Sequence, residues 1–222
     1  ADLFAIFANE APEMGAKGIS AFIIERGTDG LKLERHVHYL GLLGHRAYDI
    51  RLEDVYVPKE NRIGGTGDGL RLALSVLNVT RISLSWGYIG LARAALDASL
   101  KFAVEREIAN QPLAEYQSIR FALAELATQI DAARMLAYRA SVMEDKGVKH
   151  RKETSMAKLA CAEALIKSVD LAVRIHAGYA GDRDYPVPVE RYLRDAYSWI
   201  AAQGTLEVQK LVIAREIFKG VS

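Results

Sequence analysis

The chain has 222 residues, half of them apolar, which is enough to bury a sizeable core and argues against disorder. Its 29 Lys and Arg residues nearly cancel 28 Asp and Glu, so no strong field draws it to nucleic acid or to an anionic membrane surface. The single cysteine, Cys161, lies in an apolar helical stretch and cannot close an intramolecular disulfide, which suits a reducing compartment.

Residue 1 opens directly into the strand-like run Leu3-Phe4-Ala5-Ile6-Phe7, without the succession of a signal peptide, as if the chain began inside a larger protein. Up to about residue 65, Gly and Pro punctuate β-rich runs at Ile19–Glu25, Leu31–Leu40 and Tyr48–Val57, predicting three or four strands. In the last run Ile50 and Leu52 alternate with Asp49, Arg51 and Glu53, the pattern of a half-buried strand, and Pro58 ends it. So few strands need a covering layer, which implies further strands or a partner chain.

From about Leu70 the period becomes helical. Helices are expected at about 70–107, 114–146, 151–177 and 205–219, with a short one near 189–196. Ile119, Leu123, Leu126, Ile130 and Ala133 form one stripe on the second. The longest apolar stretch, Ile82–Val104, contains Arg93, Asp97 and Lys101, so no transmembrane helix is expected. The fold class is α+β: a partial antiparallel β-domain over residues 1–66, then an antiparallel four-helix bundle over 67–222.

Three motifs carry less than they suggest. Gly64-Gly65-Thr66-Gly67-Asp68-Gly69 lacks the Lys-Ser/Thr ending of a phosphate loop and reads as a strand-to-helix connector. His36 and His38 would share one strand face but have no third ligand, and Asp182-Arg183-Asp184 reads as a solvated turn, so no metal is expected. No Gly-x-Ser-x-Gly elbow supports a hydrolase.

Five segments in one order carry more. They are Gly18-Ile-Ser-Ala-Phe-Ile-Ile-Glu25 with Leu52-Glu-Asp-Val-Tyr-Val-Pro58; Gly67-Asp-Gly-Leu70 running to Thr80-Arg81 and Gly90-Leu-Ala-Arg-Ala-Ala95; and Glu105-Arg106 with Gln117. Then come Ile175-His-Ala-Gly-Tyr-Ala-Gly181 with Tyr185-Pro186, and Arg191-Tyr-Leu-Arg-Asp-Ala196 followed by Gly204-Thr205 and Ala214-Arg-Glu216. As an ordered set they resemble the end of the middle β-domain and the C-terminal helical domain of the acyl-CoA dehydrogenase family.

That resemblance implies FAD as cofactor and an acyl-CoA thioester as substrate. By resemblance Arg106 is the diphosphate ligand, a permanently charged planar fork suited to that anion. Gln117, Arg174, Ala177 and Gly178 complete that contact set, and Thr205 and Glu207 are further cofactor contacts. In the family these sets of contacts come from different subunits, so Arg106 and the loop near Gly178 are expected to converge across neighbouring subunits on one dinucleotide, and a side chain at Gly178 would block close backbone approach to the cofactor. Thr80, Arg81 and Ala202 match substrate-side positions.

The catalytic position departs from the family. Its base is a Glu just before Gly-Thr, which here is Gln203, or in a smaller group a Glu just before the arginine matching Arg81, which here is Thr80. Neither side chain accepts a proton near neutral pH. Further departures are Ala109-Asn110 for Phe-Gly, Ala177 for the first Gly of a Gly-Gly turn, Ala202 for a bulkier residue, and a longer Tyr185-Pro-Val-Pro-Val189.

The resemblance implies an oxidoreductase performing α,β-dehydrogenation, with an electron acceptor such as an electron-transferring flavoprotein and a homotetramer or mixed tetramer. The expected compartment is the bacterial cytoplasm, with the mitochondrial matrix second. A monooxygenase-like offshoot and a non-catalytic subunit of a mixed oligomer are the alternatives.

Overall fold

The structure is a computed structural model describing residues 1–221; Ser222, the last residue of the expected helical domain, lies outside them. It divides into two compact units, Ala1–His38 with Leu43–Asn78, and Tyr39–Leu42 with Val79 onward.

In the first unit β1 (Leu3–Asn9), β2 (Ile19–Glu25) and β5 (Arg62–Ile63) form an antiparallel sheet in the order β1-β2-β5. β2 is central, and its Ala21 and Ile24 are buried. The two-residue β5 was too short to leave a period in the sequence. Gly67 and Gly69 close the unit by backbone contact: a Cβ on Gly67 would lie 2.2 Å from the Lys17 carbonyl oxygen, and one on Gly69 2.6 Å from the Ser20 carbonyl carbon. The Gly-rich connector thus serves packing, and Gly67 N–H donates to Ser20 Oγ at 2.9 Å.

β3 (Leu31–Val37) pairs with β4 (Ala47–Leu52), with an irregularity between Leu33 and His36. Both strands stop short of their expected ends at Leu40 and Val57. Residues 39–42 belong to the other unit, and Asp54 takes a left-handed φ of 50° that breaks β4's extension. The expected half-burial of Ile50 and Leu52 is only partly met, since they are 42% and 41% exposed. The other face of the ribbon carries ion pairs, Lys32–Glu53 at 2.5 Å, Arg35–Asp49 at 2.8 Å and Arg51–Glu34 at 2.5 Å.

The second unit is built on α1 (Gly69–Glu105) from Val79 onward, α2 (Gln117–Asp145), α3 (Arg151–His176), α4 (Val189–Trp199) and α5 (Leu206–Ile217). Between α1 and α2, β6 (Glu107–Ile108) and β7 (Gln111–Pro112) form a hairpin in the gap between the first two expected helices. Contacts fix the helix directions. Trp86 Nε1 on α1 donates to Ser141 Oγ on α2 at 3.0 Å, while the far end of α1 meets the start of α2 through the hairpin, so these two are antiparallel. Arg139 pairs with Glu153 and Cys161 Sγ donates to the Ala133 carbonyl, so α2 and α3 are antiparallel as well. The apolar stripe expected on α2 is buried at Leu123, Leu126, Ile130 and Ala133, and Ile119 packs at its edge. Cys161 is wholly buried, and burial pushes its thiol up to about 12, leaving it inert.

Residues 39–42 are stitched to α4. Gly41 N–H donates to Ser198 Oγ at 2.7 Å, Leu42 N–H to Asp195 Oδ1 at 2.5 Å, and Arg194 Nη1 to the Leu40 carbonyl at 3.2 Å. Arg194 also grips Glu190 with two N–H groups, at 2.6 and 2.9 Å. The Arg-x-x-Arg-Asp segment is therefore a structural staple.

Candidate functional site

The site residues named from sequence fall into two groups, one where α1 stops and one beside its Thr80-Arg81 turn. The first is where α1 stops. Arg106 N–H donates to the Phe102 carbonyl, and the Arg106 carbonyl accepts from Leu113 N–H, both at 2.8 Å. The β6–β7 hairpin turns through Ala109 (φ 52°) and Asn110 (φ 66°), the two left-handed residues that a tight two-residue turn requires. Tyr116 Oη donates to the Ile108 carbonyl at 2.7 Å and pins the hairpin.

Arg106 is exposed and makes no ion pair among the described residues. Its Cζ lies 6.0 Å from the centre of the Tyr179 ring. Tyr179 follows the C-terminus of α3, where Ala177 and Gly178 are both exposed. Arg106 and the 177–179 turn therefore meet within a single chain, without a neighbouring subunit to bring them together. The left-handed residue of that turn is Ala177 (φ 49°, ψ −125°), not Gly178, and a Cβ on Gly178 would touch nothing in this chain within 4 Å. Only a molecule outside the chain could make Gly178 sterically necessary.

Gln117 opens α2, is exposed, and follows a residue that provides no side-chain cap, leaving first-turn N–H groups for another partner. Arg174 is exposed and pairs with Asp170 at 3.0 Å. Beneath the turn His176 is fully buried against Phe102, ring centres 4.3 Å apart. Its Nδ1 faces the Ala172 carbonyl at 2.8 Å and so carries the proton, leaving Nε2 as an acceptor with no partner among the described residues. Desolvation lowers its pKa, opposed by that hydrogen bond.

The second group surrounds residues 202–205, between α4 and α5. Arg81 on α1 is buried and its Nε donates to the Gln203 carbonyl at 3.0 Å. Lys158 on α3, wholly buried, donates to the Ala202 carbonyl at 2.6 Å and to the Gly204 carbonyl. Gln203 (φ 56°) and Gly204 (φ 100°) are both left-handed, and Gln203 Oε1 is buried without a hydrogen-bond partner among the described residues. Tyr88 Oη holds the Trp199 carbonyl at 2.9 Å just upstream.

Thr205 is the N-cap of α5, its Oγ1 accepting from Val208 N–H at 3.5 Å. Glu207 is exposed, and its own backbone N–H, then the Thr205 hydroxyl, hold its carboxyl below the usual range. Thr80 and Ala202 are half-buried.

Sequence reasoning missed Lys158 and Gln209. Desolvation, then the charge of Arg81, pushes the Lys158 ammonium down to about 8, and desolvation followed by the charge of Arg151 lowers Arg81. Neither cation has a carboxylate partner among the described residues. Gln209 Nε2 donates to the Gly204 and Thr205 carbonyls at 3.2 and 3.4 Å. A signal existed: Thr154, Lys158, Cys161 and Leu165 recur at helical spacing on one face, with three of the four suited to a core. Among the described residues no three metal-ligating side chains gather, and no helix is long and apolar enough to cross a membrane.

Comparison with known proteins identifies the family. The family model described as acyl-CoA dehydrogenase, C-terminal domain, matches residues 67–218. An acyl-CoA dehydrogenase of Bacillus subtilis (strain 168) is 39% identical over 99% of this chain and 58% of its own length. The caffeyl-CoA reductase-Etf complex subunit CarC of Acetobacterium woodii is 37% identical over 96% of the chain and 56% of its own. The structure of butyryl-CoA dehydrogenase from Megasphaera elsdenii superposes with a TM-score of 0.94 at 32% identity, over 98% of this chain and 56% of that one. The chain thus spans little more than half the length of these relatives. It belongs to the acyl-CoA dehydrogenase family, whose C-terminal helical domain it carries.

Proposed function

We propose that the protein is an FAD-dependent oxidoreductase acting on an acyl-CoA thioester, with a neutral amide, Gln203, where the family places its base. The observation that carries this reading is the exposed Arg106 guanidinium beside the open Ala177-Gly178 turn. A permanent cation without an acidic partner, beside backbone with free space above it, fits a diphosphate. Gln117 and Arg174 would extend that cradle, and Thr205 with Glu207 would contact the cofactor at the other end.

Residues 81 and 106 are separated by roughly 37 Å of helix at 1.5 Å per residue, too far for one dinucleotide to touch both groups. Each chain would therefore contribute one half-site to each of two cofactors, which favours an oligomer, tetrameric by family precedent. FAD, when bound, supplies the acceptor for the substrate's β-hydride. On the protein's side, Arg81 fixes the Gln203 backbone beside the acyl group, Ala202 leaves room there, and Thr80 offers a hydroxyl in place of a carboxylate. The Gln203 amide cannot take the α-proton, which passes instead to water or to a carboxylate from outside residues 1–222, and losing a general base costs about 10²- to 10⁴-fold in rate. An electron-transferring flavoprotein is the proposed acceptor, since the Acetobacterium relative is named as a subunit of an Etf complex.

The full-length protein should purify yellow, and Arg106→Ala should weaken FAD binding by about 1.5–3 kcal/mol, the worth of hydrogen bonds to a charged group, in a flavin titration followed by absorbance. A colourless protein that stays apo on reconstitution would instead favour a non-catalytic subunit. Flavin retained by the wild type but indifferent to acyl-CoA would favour the monooxygenase-like alternative.

A further inference from the structure

Three consecutive carbonyls, those of Ala202, Gln203 and Gly204, are turned onto two buried cations. Lys158 takes the first and third, and Arg81 takes the second. Successive carbonyls converge this way only when the backbone is strongly twisted, and the two left-handed residues at 203 and 204 provide that twist. An unbranched residue such as Gln does not adopt φ 56° unaided, so the contacts around it must hold it there. The clamp is built from distant segments: α1 brings Arg81, α3 brings Lys158, and α5 brings Gln209 to the Gly204 carbonyl from the other side.

We propose that Lys158 is a positioning residue, whose buried amino group sets the backbone twist at residues 202–204 and thereby aims the side chain at position 203. This rests on the reading that position 203 faces the reacting carbon of the acyl group. Lys158 itself points to the backbone and takes no part in bond making.

The surroundings make the clamp sensitive to pH. Arg81 on α1 is the charge that faces Lys158, with Arg151 of α3 next to Arg81. Tyr88 on α1 and Cys161 on α3 share that core, the thiol titrating only at about 12 and the phenol higher still. Gln209 from α5 does not titrate, and Glu153 on α3 is paired with Arg139 and Lys152 instead. Lys158 sits at about 8 in the closed loop, against 10.5 in water. An opening that hydrates the amine therefore takes up a proton between these values and becomes rarer as pH rises.

Amide hydrogen exchange on this chain tests the clamp without flavin or acyl-CoA. After correction for the intrinsic base-catalysed rate, the opening constant of the Ala202 and Gln209 amides should fall about tenfold between pH ~7 and pH ~9, while the amides of α2 stay level. In Lys158→Met, which keeps the stem length and removes the donors, that slope should vanish. A flat wild-type profile overturns the proposal, as does the same slope in Lys158→Met, or α2 amides following the loop. If Lys158→Met does not fold, the wild-type profile alone decides.

The aiming itself is read in the full-length, flavin-loaded Gln203→Glu protein. Adding Lys158→Met should lower kcat about 10²-fold, the effect of misplacement by roughly an ångström, with KM nearly unchanged. Equal changes in kcat and stability across Lys158→Met and Lys158→Arg would reduce Lys158 to a packing role. A Gln203→Glu protein with no turnover would sink the proposed function, whereas the exchange profile would still decide the clamp.

Discussion

Ala177 is the residue whose backbone most plainly contradicts its side chain. It ends α3 at φ 49°, ψ −125°, a region open to glycine and costly for any residue with a Cβ, by about 1–3 kcal/mol. Replacing it with Gly should remove that strain and restore only about 0.4–1 kcal/mol of unfolded-state entropy. Ala177→Gly should therefore be more stable by about 1 kcal/mol, read as a melting temperature about 2–4 °C higher in a thermal scan. An unchanged or lower value would show that the turn relaxes around alanine. The sequence marked this position only through the family pattern, since a positive φ leaves no trace in composition or period. Lys158 was missed for a related reason: a lysine among small residues reads as helix surface until the face it shares with Thr154, Cys161 and Leu165 is seen to be the core.

Among the elements, the long helices were legible because their apolar period runs over many turns. The bounds of α3 differ from expectation by one residue and those of α1 by one at its start and two at its end. The β6–β7 hairpin was not legible, because two-residue strands carry no alternation and the turn is Ala-Asn rather than Asn-Gly. Nor was the exposure of Ile50 and Leu52, since alternation reports which face is apolar and not whether anything covers it. Helix α1 also holds a contact that no pattern announces: a Cβ on Gly87 would lie 2.4 Å from Cη2 of Trp199. That ring sits just before the 202–205 loop, and Ala202 N–H donates to the Trp199 carbonyl at 3.0 Å. Gly87→Ala should cost about 1–3 kcal/mol in denaturant unfolding, because an indole packed against α1 has little freedom to retreat. A cost below about 0.5 kcal/mol would mean that Trp199 moves freely and does not brace the loop.

At the scale of the whole molecule, one helix separates two jobs. Where it stops, Arg106 lies exposed beside the open backbone of Gly178, and about a third of the way along it Arg81, with Lys158 of α3, holds the backbone of residues 202–204. Among the described residues Arg81 and Lys158 have no acid beside them and the buried Gln203 Oε1 has no partner, as the proposed replacement of a carboxylate by its amide at position 203 would leave them. The measurement that bears most directly on this is the rate at which an acyl-CoA bleaches the flavin of the full-length protein, compared between wild type and Gln203→Glu in a stopped-flow spectrometer. A carboxylate at position 203 should raise that rate at least about 10²-fold. Equal rates in the two proteins would show that residue 203 does not face the reacting carbon.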